Sequence, residues 1–150
     1  MNIRFRRAQE EDINSINALF AEMLCSVYPS KEVQADSAGE WERFFTGGEN
    51  WVCVAEADGR IVAFLSIEVH REQHTYLYYD DFCVTHSFRN RGIGSMLMQE
   101  AEKYARLIGV STIVLHVEKI NTAARRLYER KGFTMFRDDG TRLCMLQRLA

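Results

Sequence analysis

The twelve residues from Val84 to Ser95, VTHSFRNRGIGS, limit the fold more than any other stretch of the chain. They follow an apolar run, Thr75 to Val84, that reads as a strand. They lead into Gly92 to Leu107, whose apolar residues Ile93, Met96, Leu97, Ala101, Tyr104 and Ile108 recur at helical spacing. A strand therefore passes into a helix through a turn holding Gly92 and Gly94. Glycines let successive backbone N–H groups point into such a turn without a Cβ in the way, at a helix end of positive potential. That arrangement cradles a pyrophosphate, with Arg89 and Arg91 as added cationic donors. The same glycines also suit a tight strand-to-helix connection that binds nothing, and spacing alone leaves both readings open. Two phosphate motifs are excluded. The third glycine of a dinucleotide turn falls on Leu97, and no lysine between Glu32 and Lys103 can end a P-loop.

Around this turn the chain alternates strands and helices. Ile3 to Arg7 alternates like a short strand, and Asp12 is placed to cap a helix carrying Ile13, Ile16, Leu19, Phe20 and Met23. Residues from about Ser26 to Gly39 read as an irregular connection, and a short second helix carries Trp41, Phe44 and Phe45. Trp51 to Ala57 and Arg60 to His70 form a hairpin across Asp58-Gly59. Thr112 to Val117 reads as a buried strand. Asn121 caps a helix that Gly132 closes, and Phe133 to Phe136 and Arg142 to Leu149 are final strands across Asp139-Gly140. The predicted order is β-α-α-β-β-β-α-β-α-β-β, an α+β or mixed α/β domain with a largely antiparallel sheet.

A chain of 150 residues is read as one domain, 1–150, able to bury a core without metal or disulfides. Nineteen basic and 21 acidic residues give a net charge of −2, which argues against a nucleic-acid binder. No apolar run approaches the length of a membrane span and the N-terminus lacks a secretory core, so a cytoplasmic protein is expected. Cys25, Cys53, Cys83 and Cys144 form no paired spacing with one another or with the histidines, so neither a metal site nor a disulfide framework is expected.

Arg89-x-x-Gly92-x-Gly94 resembles the R/Q-x-x-G-x-G/A signature of the GCN5-related N-acetyltransferase (GNAT) superfamily, which binds acetyl-coenzyme A. Asn121-x-x-Ala124-x-x-Leu127-Tyr128-x-x-x-Gly132-Phe133 resembles its second signature, and the order of elements is similar as well. His86 stands where a proline often follows the fourth strand, and Asn90 where a glycine is common. The fold implied is a mostly antiparallel sheet of six to seven strands, splayed between strands 4 and 5 and flanked by about four helices.

The resemblance implies acetyl transfer from acetyl-CoA to a primary amine by direct attack, with no metal. Backbone groups of Phe82, Cys83 and Val84 would hold pantetheine, and the amides of Arg89, Asn90, Arg91, Gly92, Ile93, Gly94 and Ser95 the pyrophosphate. Asn121 would touch the cofactor or cap its helix, and one of Arg125, Arg126, Arg130 and Lys131 would reach the 3′-phosphate. A lysine-like amine, with a pKa of about 10.4, must lose a proton before it attacks. Asp80 and Asp81 lie late on the fourth strand, and simple alternation sends them to opposite faces, Asp80 sharing one with Tyr78 and Phe82. Asp80 is the expected base with Asp81 as its partner, a pair similar to that of glucosamine-phosphate acetyltransferases. Tyr128 is the expected acid that protonates the departing thiolate. Cys83 has no adjacent basic partner to make it a nucleophile, and His116 either lines the cleft or faces solvent.

Tyr28, Glu32, Asp36 and Trp41 are candidate acceptor contacts, since acids and aromatics suit a cationic amine from a small molecule or peptide. The strand Leu143 to Leu149 can pair or swap across a homodimer or lie inside a monomer's sheet. The competing function is a non-catalytic acyl-CoA sensor, which needs neither Tyr128 nor an acid on the fourth strand.

Overall fold

The computed structural model describes residues 2–27 and 41–150. Seven strands, β1 (Ile3–Arg7), β2 (Trp51–Ala57), β3 (Arg60–His70), β4 (Tyr76–Val84), β5 (Thr112–Glu118), β6 (Thr134–Asp138) and β7 (Arg142–Arg148), form one sheet in the order β1-β2-β3-β4-β5-β7-β6. Every neighbouring pair is antiparallel except β4 and β5. The described helices are α1 (Ile13–Val27), α2 (Ile93–Leu107) and α3 (Thr122–Arg130).

Sequence pattern dictates which strands are covered on both sides. Trp51 to Ala55 is apolar throughout and buried throughout, so β2 is sandwiched between helices. Val52 and Val54 join Ile16, Leu19, Phe20, Phe44 and Phe64 beneath α1. Cys53 and Ala55 face the other way, with Leu65, Ile67, Leu97, Met98 and Ala101 beneath α2. β5 behaves differently. Ile113, Leu115 and Val117 are buried on the α2 and α3 side, whereas Val114, His116 and Glu118 are only half-buried on the other. β5 is thus buried on one face, not on both as its β-branched composition suggests, and its α1-side face opens onto a cleft.

Local chemistry accounts for the ends of the elements. The β2–β3 turn places Asp58 at φ 50° and Gly59 at φ 81°, the left-handed pair of a two-residue hairpin. Asp12 does not cap α1 as an N-terminal residue. It lies in a 3₁₀ turn, accepts the Gln9 N–H at 2.8 Å and pairs with the Arg6 guanidinium at 2.7 Å, which holds its carboxyl below the usual range. Glu42–Phe44 forms a 3₁₀ turn, and Trp41 just before it is 2% exposed and packs edge-on to Phe20 and Phe64. β7 pairs with β5 on one side and β6 on the other, so it lies inside the sheet and the edge strand at that end is β6. Among the described residues, no helix is long and apolar enough to cross a membrane.

Candidate active site

The parallel pairing of β4 with β5 stops early. It joins Leu77 with Ile113, Tyr78 with Val114 and Tyr79 with Leu115, and no register pair follows. Beyond it the strands part. The resulting cleft, about 640 Å³, is lined by Tyr79–Val84, Phe88–Asn90, Gly92–Ser95, Leu115–Glu118 and residues of α1 and α3. Backbone groups on the β5-facing edge of β4 therefore meet the cleft instead of a partner strand.

β4 carries a bulge at this point. On β3 a single residue, Ser66, separates Leu65 from Ile67, yet their partners Phe82 and Tyr79 are separated by both Asp80 and Asp81. The extra residue breaks the alternation of faces. Tyr79 and Phe82 consequently share the α2 side, while Tyr78 and Cys83 lie on the α1 side. The fully buried Ser66 fills the bulge: its Oγ accepts the Asp81 N–H at 2.8 Å and donates to the Asp81 carbonyl at 3.3 Å. Two geometric expectations change as a result. Phe82 does not share a face with Asp80, and the two aspartates do not face opposite ways. The Asp80 carboxylate accepts from Arg43 Nη2 at 2.7 Å, and Arg43 Nε also donates to Glu68 at 2.9 Å. The Asp81 charge helps, after burial, to push the Cys83 thiol well up on that same face. Such a thiol is no nucleophile at neutral pH.

The turn after β4 is a concave array of N–H groups. Asn90 at φ 61° and Gly92 at φ 80° are both left-handed, and Gly92 begins α2. Asparagine tolerates this region better than most side chains, which explains its place where glycine is common. Such an array at a helix N-terminus takes a phosphate oxygen. Glu22 of α1 braces the turn by accepting from Thr85 Oγ1 at 2.8 Å and from the His86 N–H at 3.0 Å, with Arg89 Nη2 3.6 Å away. Arg89 Nε donates to the Val84 carbonyl at 2.9 Å, and Arg91 stacks over Phe88 at 5.0 Å. A pantetheine strand and a diphosphate fit this set of donors and this open strand edge.

Tyr128 and Asn121 enter from α3. Asn121 caps that helix, its Oδ1 accepting the Ala124 N–H at 3.2 Å, and its amide nitrogen is outside that bond. The Tyr128 ring packs 6.3 Å from Phe82 and 5.9 Å from Phe133, and the residue lines the cleft. Burial pushes its phenol well above its usual value, so it stays protonated at neutral pH.

A polar chain stands on the α1-side face where β4 and β5 begin to part. The Tyr78 hydroxyl lies 2.6 Å from His116 Nδ1, and His116 Nε2 lies 3.2 Å from Asp139 Oδ2. Arg137 Nε and Nη2 both donate to Asp139, at 2.6 and 3.1 Å. Burial pushes Tyr78 up to about 12, while burial and the Arg142 charge push His116 below its ordinary 6.5. Sequence reasoning weighed His116 and missed Tyr78 and Asp139. Their contact joins β4, β5 and the β6–β7 turn, and only the alternation of His116 with buried Leu115 and Val117 hinted at it.

Asp80, Asp81, Phe82, Cys83, Val84, Arg89, Asn90, Gly92, Ile93, Gly94, Ser95, Asn121 and Tyr128 all line one cleft. Trp41 does not: it is core, with its Nε1 donating to Asn17 Oδ1 at 2.9 Å. Tyr28, Glu32 and Asp36 lie outside the described residues. No cluster of metal-ligating side chains occurs among the described residues.

Two strands part over an amide array at a helix N-terminus, a shape suited to a long, phosphate-ended ligand lying along a strand edge. The profile of the acetyltransferase (GNAT) family matches residues 13–133, and the chain belongs to that family. It is 32% identical over 92 residues to "GCN5-related N-acetyltransferase 6, chloroplastic" of Arabidopsis thaliana, a match spanning 61% of this chain but 30% of that protein. It is 23% identical over 138 residues to the putative phosphinothricin acetyltransferase YwnH of Bacillus subtilis, spanning 85% and 82% of the two. The fold is that of the PaiA N-acetyltransferase from Thermoplasma acidophilum in complex with coenzyme A, with a TM-score of 0.85, 18% identity and 99% of each chain covered. It is also that of yncA, a putative acetyltransferase from Salmonella typhimurium with acetyl-CoA, with a TM-score of 0.81, 18% identity, and 100% and 95% covered.

Proposed function

We propose that residues 1–150 form one acetyltransferase domain that moves an acetyl group from acetyl-CoA to a primary amine of a small molecule or peptide, in the cytoplasm. The observation that carries this reading is the cleft itself, where one groove runs from the N–H array at Asn90–Gly94 past the free edge of β4 to the Tyr128 phenol. When bound, acetyl-CoA supplies the acetyl group as a thioester open to attack by an amine.

The residues divide the work by position. Amides of the Arg89–Ser95 turn, all but Arg91 of which line the cleft, hold the diphosphate, and backbone groups of Phe82 to Val84 align pantetheine along β4. The Tyr128 hydroxyl, held protonated by burial, donates its proton at the departing sulfur. Asp80, whose Oδ2 accepts from Arg43, takes the proton that the bound ammonium must lose before it attacks, with Asp81 as its charged partner. The second N–H proton, released as the carbon–nitrogen bond forms, passes to the Tyr78 oxygen as Tyr78 gives its own proton to His116 Nδ1. A purely acyl-CoA-sensing role requires none of these side chains.

Thermal unfolding with acetyl-CoA, with NAD and ATP as controls, tests the cofactor. At a hundred times its Kd a ligand adds about 2.7 kcal/mol. Thiol release with L-lysine, spermidine, glucosamine 6-phosphate, phosphinothricin and a peptide bearing a free N-terminus tests the transfer. Stabilisation by acetyl-CoA with release accelerated by one of these amines supports the enzyme. Stabilisation with none accelerated supports the sensor, and no stabilisation at millimolar acetyl-CoA sinks both.

A further inference from the structure

His116 stands between two groups that constrain its ring differently. Tyr78 Oη is 2.6 Å from Nδ1, and a phenol can either donate or accept there. Asp139 Oδ2 is 3.2 Å from Nε2, and an ionised carboxylate can only accept. Asp139 is ionised at neutral pH, since the Arg137 guanidinium at 2.6 Å holds its carboxyl below the usual range. The neutral ring must then carry its proton on Nε2. Nδ1 is left with a lone pair, and the Tyr78 hydroxyl must be the donor in the 2.6 Å bond.

We propose that Asp139, on the turn between β6 and β7, is a positioning residue that fixes His116 in the Nε2–H tautomer and thereby makes Nδ1 the acceptor of the Tyr78 proton. The inference rests on the acetyltransferase reading for its purpose but on geometry for its content. Only in this tautomer can Tyr78 take a proton from the amine and pass its own to the ring in the same direction. The neutral amine nitrogen forms its bond to the acetyl carbon as the carbon–sulfur electron pair leaves with sulfur, which takes the Tyr128 proton, and as one N–H electron pair returns to nitrogen. The proton of that N–H goes to Tyr78 Oη, the phenolic proton of Tyr78 to Nδ1, and the imidazolium so formed sits against the Asp139 carboxylate until water removes its proton. With the proton on Nδ1 instead, Tyr78 would be an acceptor from the ring and the path would be blocked.

Arg137 does more than hold the turn. Its Nε and Nη2 donate to the two oxygens of Asp139, which leaves Oδ2 aimed at the ring. The other charged and titratable groups around His116 are Arg142 and Cys144 on β7, Glu118 on its own strand, and Asp80 beside Tyr78. Among the described residues, Asp139 alone accepts from Nε2.

The test begins with the full chain free of ligand. Nitrogen-15 NMR of the His116 ring above pH 7 is expected to show a protonated Nε2 and an unprotonated Nδ1. Asp139→Asn keeps its amide oxygen on Arg137 and turns an N–H toward Nε2, so the proton is expected to move to Nδ1. Asp139→Ala leaves Nε2 to water and is expected to give a mixture of tautomers. With the fastest acetylated amine of the panel above, Asp139→Asn should lower kcat by about 100-fold while the KM for acetyl-CoA stays within twofold. A role confined to bracing the turn would shift the melting temperature and leave the tautomer unchanged. Wild-type protein with Nδ1 protonated, or Asp139→Asn with the wild-type tautomer and kcat, would overturn the proposal. If no amine is acetylated, the enzyme reading has failed and the NMR spectra still decide the placement of the proton.

Discussion

A Cβ built on Gly94 would lie 3.0 Å from Cζ of Phe82, where the first turn of α2 meets the floor of the cleft. Leu127 Cδ2 stands 3.6 Å away in ordinary contact, so the close approach is to the Phe82 ring. The backbone at Gly94 is helical, so the requirement for glycine here is one of space and not of conformation. Gly94→Ala must therefore move the Phe82 ring by a few tenths of an ångström, toward Tyr128. Overpacking of this kind costs about 1–3 kcal/mol. The variant is expected to bind acetyl-CoA several-fold more weakly, by calorimetric titration, with a lowered melting temperature. Unchanged affinity would show that Phe82 does not set the width of the cleft.

Tyr128 is buried against Phe82 and Phe133 and keeps its proton at neutral pH. Removing its hydroxyl leaves the ring packing intact. Tyr128→Phe is expected to lower kcat by about 100-fold, the lower end of what a positioned proton donor contributes. The Kd of acetyl-CoA should stay within about twofold, because the phenol acts at the sulfur and not on the diphosphate. Stopped-assay thiol release and a thermal shift titration separate the two quantities. Full turnover in the variant would remove Tyr128 from the acid role.

The bulge on β4 depends on one hydroxyl. Ser66 Oγ accepts the Asp81 N–H at 2.8 Å, and Ser66 is fully buried, so no water can substitute without a cavity. Ser66→Ala leaves that donor unsatisfied at a cost of about 1–3 kcal/mol. For a domain of this size the melting temperature falls by about 2–4 °C for each kcal/mol. The loss should exceed that of an exposed serine changed to alanine, such as Ser111, measured in parallel by calorimetry. Equal losses would mean the bulge holds itself.

The same bulge marks where strand periodicity stops being informative. The Asp58-Gly59 hairpin, the Gly92 helix start and the Asn121 cap are local, each set by residues within one turn, and the chain shows them directly. Asp80 and Asp81 look like two faces of a strand because the extra residue is decided by Ser66, fifteen positions away. Trp41 sits in a polar stretch and reads as an acceptor contact, yet Phe44 of the turn that follows it and Phe20 and Phe64 from two other elements enclose it. Tyr78 and His116 come from separate strands and Asp139 from the β6–β7 turn, so no spacing along the chain brings them together.

His116 gives the cleft a pH dependence whose sign follows from its surroundings. Burial, first, and then the positive charge of Arg142 hold its pKa below the ordinary 6.5, while Asp139 pulls the other way. The ring must be neutral for Nδ1 to accept a proton, so kcat/KM is expected to be at its plateau near pH 7 and to fall through a midpoint below 6.5. Because the folded value is the depressed one, the unfolded chain binds the proton more readily between the two values. The ring's contribution to stability is whole above 6.5 and is lost as the pH falls below it. Arg142 faces the same side of the sheet as His116, its Cα paired with Glu118 while that of Cys144 pairs with His116. Arg142→Ala removes a repelling charge, and the midpoint in both the NMR titration of His116 and the pH profile of kcat/KM should move up toward 6.5 together. A profile whose midpoint stays put while the NMR titration moves would assign the acid limb of the rate to a group other than His116.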